Sequence, residues 1–130
     1  MPRIEHVALW ARDLDTLCVF YARAFGATVG SVYENKTKGF KSRFLTFDSG
    51  SRMEVMSSSQ LHPVEHEPGA QRMGLTHLAF SLGSEAAVDE LTEKLRSDGA
   101  SLLDGPRRTG DGYYESVVLD PEGNRLELTV

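Results

Sequence analysis

The sequence predicts an α+β fold made of two similar modules, each a strand, a helix and three further strands. Two observations predict it. The first is an internal repeat: Ile4-Glu5-His6-Val7-Ala8-Leu9 matches Leu75-Thr76-His77-Leu78-Ala79-Phe80, and Asp48–Val55 matches Asp120–Leu128. Between these, Phe25-Gly26-Ala27 is echoed by Asp98-Gly99-Ala100. The second is hydrophobic periodicity, which switches between a period of two and a period near 3.6 in the same order within each copy.

The first module begins with a strand over Arg3–Trp10, where Val7 and Leu9 share one face and His6 and Ala8 the other. Asp13 is a suitable cap for a helix to about Phe25, with Leu14, Leu17, Phe20, Tyr21 and Ala24 at helical spacing. Gly26 supplies the left-handed stop. Strands are expected near Thr28–Tyr33, Ser42–Phe47 and Arg52–Met56, with Asp48-Ser49-Gly50 turning between the last two.

Residues 59–73 carry Pro63, Pro68 and Gly69 and read as a linker. The order then repeats. A strand over Leu75–Leu82 leads into a helix from Ser84 to about Asp98, with Val88, Leu91 and Leu95 inward, ended by Gly99. Strands near Ser101–Leu103, Tyr114–Leu119 and Arg125–Val130 complete the copy, with Asp120-Pro121-Glu122-Gly123 as a turn. The expected organisation is one domain over 1–130, with modules at 3–58 and 74–130.

Period-two alternation assigns faces. Val7, Leu9, Met53 and Val55 suit packing on the first helix; Leu78, Phe80, Leu126 and Leu128 suit packing on the second. His6, Glu54, His77 and Glu127 each fall on the opposite face. Twisted sheets of this kind curl into a cup with those four groups inside. Two neutral imidazoles and two carboxylates would balance a divalent cation and leave positions for two waters. Nickel, zinc, cobalt, manganese and iron all suit such mixed nitrogen and oxygen donors. Trp10, Met56 and Ala79 are the candidate apolar wall for a small-molecule substrate, and Tyr114 could line its mouth.

Other features have plainer readings. A formal net charge of −5 disfavours nucleic acid, which needs a basic face. No apolar run approaches the ~20 residues of a membrane helix, and no leader pattern is evident, so a cytoplasmic protein is expected. The single cysteine, Cys18, lies in the apolar helical pattern and reads as a buried thiol. Phe20-Tyr21 reads as helix packing. His62 and His66 flank Pro63 in the linker and read as exposed. Arg107–Glu115 contains glycines, arginines and tyrosines and reads either as a mobile loop at the cup mouth or as a hairpin connection.

His6, Phe20-Tyr21, Glu54, His77 and Asp120-Pro121-Glu122-Gly123-Asn124-Arg125-Leu126-Glu127 together resemble the vicinal oxygen chelate superfamily. The resemblance spans nearly the whole chain and implies two βαβββ modules forming a curved mixed-sheet cup, the glyoxalase/bleomycin resistance/dihydroxybiphenyl dioxygenase fold. It also implies a homodimer. The His/Glu/His/Glu set is similar to that of glyoxalase I. The resemblance therefore implies a lyase or isomerase acting on an α-oxygenated carbonyl compound, or on its adduct with a low-molecular-weight thiol, through a metal-bound enediolate. Glu127 and Glu54 would move the proton. In glutathione-dependent members an Arg follows the first His by four residues and an Asn follows the first Glu by four. Trp10 and Ser58 stand there in this chain. The alternatives within the superfamily are thiol transfer to an antibiotic of the fosfomycin type, extradiol dioxygenation, and non-catalytic drug binding like that of bleomycin resistance proteins.

Overall fold

The computed structural model describes residues 1–130. The chain forms two compact units, Met1–Glu65 and His66–Val130, divided within the proline-bearing linker. The first unit runs β1 (His6–Trp10), α1 (Leu14–Phe25), β2 (Thr28–Val29), β3 (Tyr33–Asn35), β4 (Phe40–Thr46) and β5 (Arg52–Ser58). The second runs β6 (His77–Ser81), α2 (Glu85–Ser97), β7 (Leu102–Arg108), β8 (Tyr114–Leu119) and β9 (Arg125–Thr129). Neither helix is long and apolar enough to cross a membrane.

Each sheet is mixed in the same way. In the first, strands lie in the order β1-β5-β4-β2, with β3 also pairing β4; in the second the order is β6-β9-β8-β7. The opening strand of each module pairs in parallel with the closing one, and the remaining pairs are antiparallel. A parallel pair cannot be closed by a tight hairpin, so the helix and two strands of each module supply the crossover.

Both helices start as their sequences predict. Asp13 accepts from the Thr16 backbone N–H at 3.1 Å, and Ser84 accepts from that of Ala87 at 3.1 Å. Gly26, at φ +69°, takes the left-handed conformation that closes α1. Tyr21, Leu17, Leu45 and Val55 are fully buried in the first core, with Cys18 buried beside them. Burial pushes the Cys18 thiol pKa up, which suits packing rather than nucleophilic use. In the second core Val88, Val118, Leu126 and Leu128 are fully buried. Thr92, not Leu91, completes the inward face of α2. Its hydroxyl is satisfied by the Val88 carbonyl and the Ser116 hydroxyl, both at 2.6 Å. Apolar periodicity alone could not find a polar pair that neutralises itself on burial.

Several strand boundaries differ from those expected, three of them with consequences for the site. The expected strand over 28–33 is two short ones, separated at Gly30. There a side chain would crowd the Phe44 carbonyl at 3.2 Å. β7 extends to Arg108, so Arg107 and Arg108 belong to a strand and the hairpin connection shrinks to 109–113. Its register shifts around Gly105, whose φ of +76° and close approach to the Glu115 carbonyl leave no room for a Cβ. β5 continues through Ser57 and Ser58.

Leu126→Ala should lower the unfolding free energy by about 2–5 kcal/mol, because it empties a fully enclosed site against α2. Denaturant titration followed by circular dichroism measures this; a change below 1 kcal/mol, on the order of a surface substitution, would contradict the packing described.

Candidate metal centre

The two modules present their histidine and glutamate in the same register. In the first, His6 pairs with Arg52 and Ala8 with Glu54; in the second, His77 pairs with Arg125 and Ala79 with Glu127. Met53 and Val55 are buried on the helix side, as are Leu126 and Leu128, so Glu54 and Glu127 project from the opposite face. Each glutamate lies directly beside an alanine, whose methyl leaves the space next to the carboxylate open.

His6 Nε2 stands 3.9 Å from Glu54 Oε1, and His77 Nε2 stands 2.9 Å from Glu127 Oε2. Two donors each about 2.0–2.1 Å from one ion would be separated by ~3 Å at a right angle and ~3.4 Å in a tetrahedron. The second pair fits such spacing as it stands, and the first needs a small rotation of either side chain. Within neither module do three or more His, Cys, Asp or Glu side chains gather as a metal-binding group.

The other ring nitrogen of each histidine is held. His6 Nδ1 lies 2.5 Å from Glu5 Oε2. A carboxylate only accepts, so Nδ1 carries the proton, and in the neutral ring Nε2 keeps its lone pair toward Glu54. Glu5 is fixed in turn by Arg52, whose Nε and Nη2 donate to it at 2.7 and 2.6 Å. The hydrogen bond with His6, then the pairing with Arg52, holds the Glu5 carboxyl below its usual pKa. In the second module Thr76 Oγ1 meets His77 Nδ1 at 2.8 Å, and Arg125 donates to the Gly69 carbonyl at 2.8 Å. Carboxylate or hydroxyl partners of this kind fix the ring that a metal-binding histidine presents.

Phe44 supports the first pair from β4. Its ring meets His6 edge-on at 5.4 Å, and the Arg52 guanidinium lies over it at 4.1 Å. Glu115 is the corresponding surprise on β8. It is two residues from Val117, the cross-strand partner of Glu127, and hydrogen-bonds Glu127. Burial, then the charge and hydrogen bond of Glu127, push the Glu115 carboxyl above its usual pKa.

Trp10 and Met56 are cross-strand partners on the His6/Glu54 face, and Ala79 lies on the His77/Glu127 face. Tyr114 does not join them. It shares the helix side of β8 with Ser116 and donates from its hydroxyl to Asp89 of α2 at 2.5 Å, with Arg108 over its ring. Sequence reading has it lining the mouth of the substrate cup; alternation along β8 turns it toward the helix. Glu5, Arg52, Phe44 and Glu115 were not singled out from sequence. Glu5 and Thr76 precede their strands by one residue, where alternation no longer applies, and Glu115 needs the β8–β9 register to be placed.

Residues 3–128 match the Glyoxalase/Bleomycin resistance protein/Dioxygenase superfamily. The chain belongs to that superfamily. It is 29% identical over 131 residues to the uncharacterized protein YqjT of Bacillus subtilis, with 96% of each chain covered. Solved structures share the fold at lower identity. The trypanothione-dependent glyoxalase I of Leishmania major has a TM-score of 0.75 at 20% identity, covering 99% of this chain and 86% of the other. The fosfomycin resistance protein FosX of Listeria monocytogenes has a TM-score of 0.76 at 22% identity, covering 99% and 93%. A glyoxalase I and a fosfomycin resistance protein thus share this one scaffold, and the fold alone does not distinguish among functions.

The Tyr114 hydroxyl should ionise above the ordinary phenol range, because its bond to Asp89 favours the neutral form. A raised folded pKa means that its contribution to stability is present below the free phenol value, about 10, and is lost as pH rises through the folded value. Ultraviolet titration of the wild type against Tyr114→Phe should show one raised phenolic transition missing from the variant, and Asp89→Asn should lower that transition. An unmoved transition in Asp89→Asn would refute the pairing.

Proposed function

We propose that the protein is a metal-dependent lyase or isomerase of the glyoxalase I kind, acting on a small α-oxygenated carbonyl compound or its thiol adduct. One observation carries the reading: both modules present an imidazole Nε2 and a glutamate oxygen from the same strand positions, in identical register. His6, Glu54, His77 and Glu127 would hold the cation. The donor chemistry fits, since two neutral rings and two carboxylates match a 2+ charge and each ring is oriented through its other nitrogen. When bound, a divalent cation supplies Lewis acidity that stabilises negative charge on adjacent substrate oxygens.

The chain's own residues do the rest. Glu127 takes the proton from the carbon beside the carbonyl and returns it to the neighbouring carbon, with no net oxidation. Glu54 is the equivalent group from the first module. Ala8 and Ala79 leave space beside the carboxylates for the reacting carbons, and Trp10 and Met56 form an apolar flank. Trp10 and Ser58, where glutathione-dependent relatives carry Arg and Asn, favour a thiol other than glutathione. A homodimer in the cytoplasm completes the reading.

Glu127→Gln should fold normally yet lose roughly ten-fold or more in affinity for nickel, cobalt or zinc, and about 10²–10⁴ in turnover. Metal analysis after dialysis, with methylglyoxal assays against a panel of small thiols, measures both. Undiminished metal content and activity would overturn the assignment of Glu127. Bound metal without turnover on any thiol would move the reading to thiol transfer or oxygenation.

A further inference from the structure

An exposed aromatic patch continues the His6/Glu54 face toward the far end of β1 and β5. Trp10 pairs with Met56, Met56 with Ser42, Ser42 with Tyr33, and Phe40 with Ser58. Alternation puts all six on the Glu54 side of the sheet. The Phe40 ring meets Trp10 edge-on at 6.2 Å and Tyr33 at 6.1 Å, tilted by 60°. Trp10 is nevertheless 51% exposed and Tyr33 59%. Edge-on contacts leave ring faces open, so the cluster presents apolar surface rather than spending it on itself.

Charge narrows the occupant. None of the six side chains is ionisable near neutral pH. Lys41 and Arg43 belong to the other face of β4, where they meet Glu34 and Asp15. Arg52, on the near face, is engaged by Glu5 and Phe44. Lys36 and Lys38 stand in the turn between β3 and β4, off the strand positions; on the strand face itself, apart from the engaged Arg52, a carboxylate would meet rings and hydroxyls. Met56 is two residues beyond Glu54, roughly 7 Å along the strand. That separation suits a substituent attached to the reacting carbons.

We infer that Trp10, Tyr33, Phe40 and Met56 form a subsite for an uncharged aromatic substituent of the substrate. The inference depends on the proposed lyase reading only for the chemistry at the Glu54 end. It makes the preferred substrate an aryl-bearing α-oxygenated compound, with stacking in place of the ionic grip on a peptide thiol.

Trp10 is the only tryptophan in the chain and reports on its own site. The probes are 1-phenyl-1,2-ethanediol and 1,2-propanediol, both neutral, differing in phenyl against methyl. They are titrated into metal-loaded and metal-free protein while Trp10 emission is followed, with binding checked by calorimetry. The phenyl diol should shift the emission saturably and bind about ten-fold or more tightly than the methyl diol. Phe40→Ala and, independently, Tyr33→Ala should cut that preference several-fold while leaving metal content and binding of the methyl diol unchanged. Equal binding of the two diols would overturn the subsite, as would a preference untouched in both variants. So would Trp10 emission that responds to protein concentration alone, which would show a second copy covering the patch. Metal uptake is scored separately: an aryl preference without bound metal supports the subsite and contradicts the lyase, and bound metal without aryl preference does the reverse.

Discussion

Parallel pairing between the opening and closing strands of each module is the constraint from which the candidate chemistry follows. Because β1 pairs with β5 and β6 with β9 in the same register, a histidine at the start of one strand comes beside a glutamate near the start of the other. Sequence distance is irrelevant to that meeting: 48 residues separate one pair and 50 the other, and the helix with the intervening strands is what returns the chain. A shift of one residue would turn each glutamate into the apolar core and bring a leucine or valine out. Burial of Met53, Val55, Leu126 and Leu128 therefore locks the polar face as firmly as it locks the core.

Around that constraint the two modules solve the same problem with different groups. Glu5 and Thr76 occupy the same place before their strands and both engage the histidine Nδ1. The first module uses a charged chain, with Arg52 compensating Glu5, so its imidazole is held by an acceptor that fixes the tautomer. The second uses a hydroxyl, which can donate or accept, and adds Glu115 beside Glu127. Repetition preserved the backbone register while the supporting side chains diverged.

Much of this was legible in the sequence because it rests on local periodicity. The helix cap at Asp13, the start of the second helix at Ser84, the glycine stop at Gly26, and the opposed faces of four strands follow from residue spacing alone. What escaped depends on pairing across strands. Thr92 is buried only because Ser116 comes to meet it, and Phe40 and Tyr33 become neighbours of Trp10 only through the β3–β4 and β4–β5 registers. Tyr114 shows the same dependence. Its residue type and its position beside a glycine-bearing loop suggested a cup mouth, whereas its parity with Ser116 commits it to Asp89. Family resemblance carried the pattern of ligands, but not the partners that aim them.

An imidazole and a carboxylate from each module are proposed to bind a common cation. X-ray absorption fine structure on nickel-loaded protein tests it most directly, since imidazole rings leave a recognisable outer-shell scattering signature. The expected spectrum has a shell of nitrogen and oxygen donors near 2.1 Å with about two imidazoles per ion, falling to about one when His77 is replaced by Ala. A spectrum free of imidazole scattering, or one unchanged by that replacement, would contradict it.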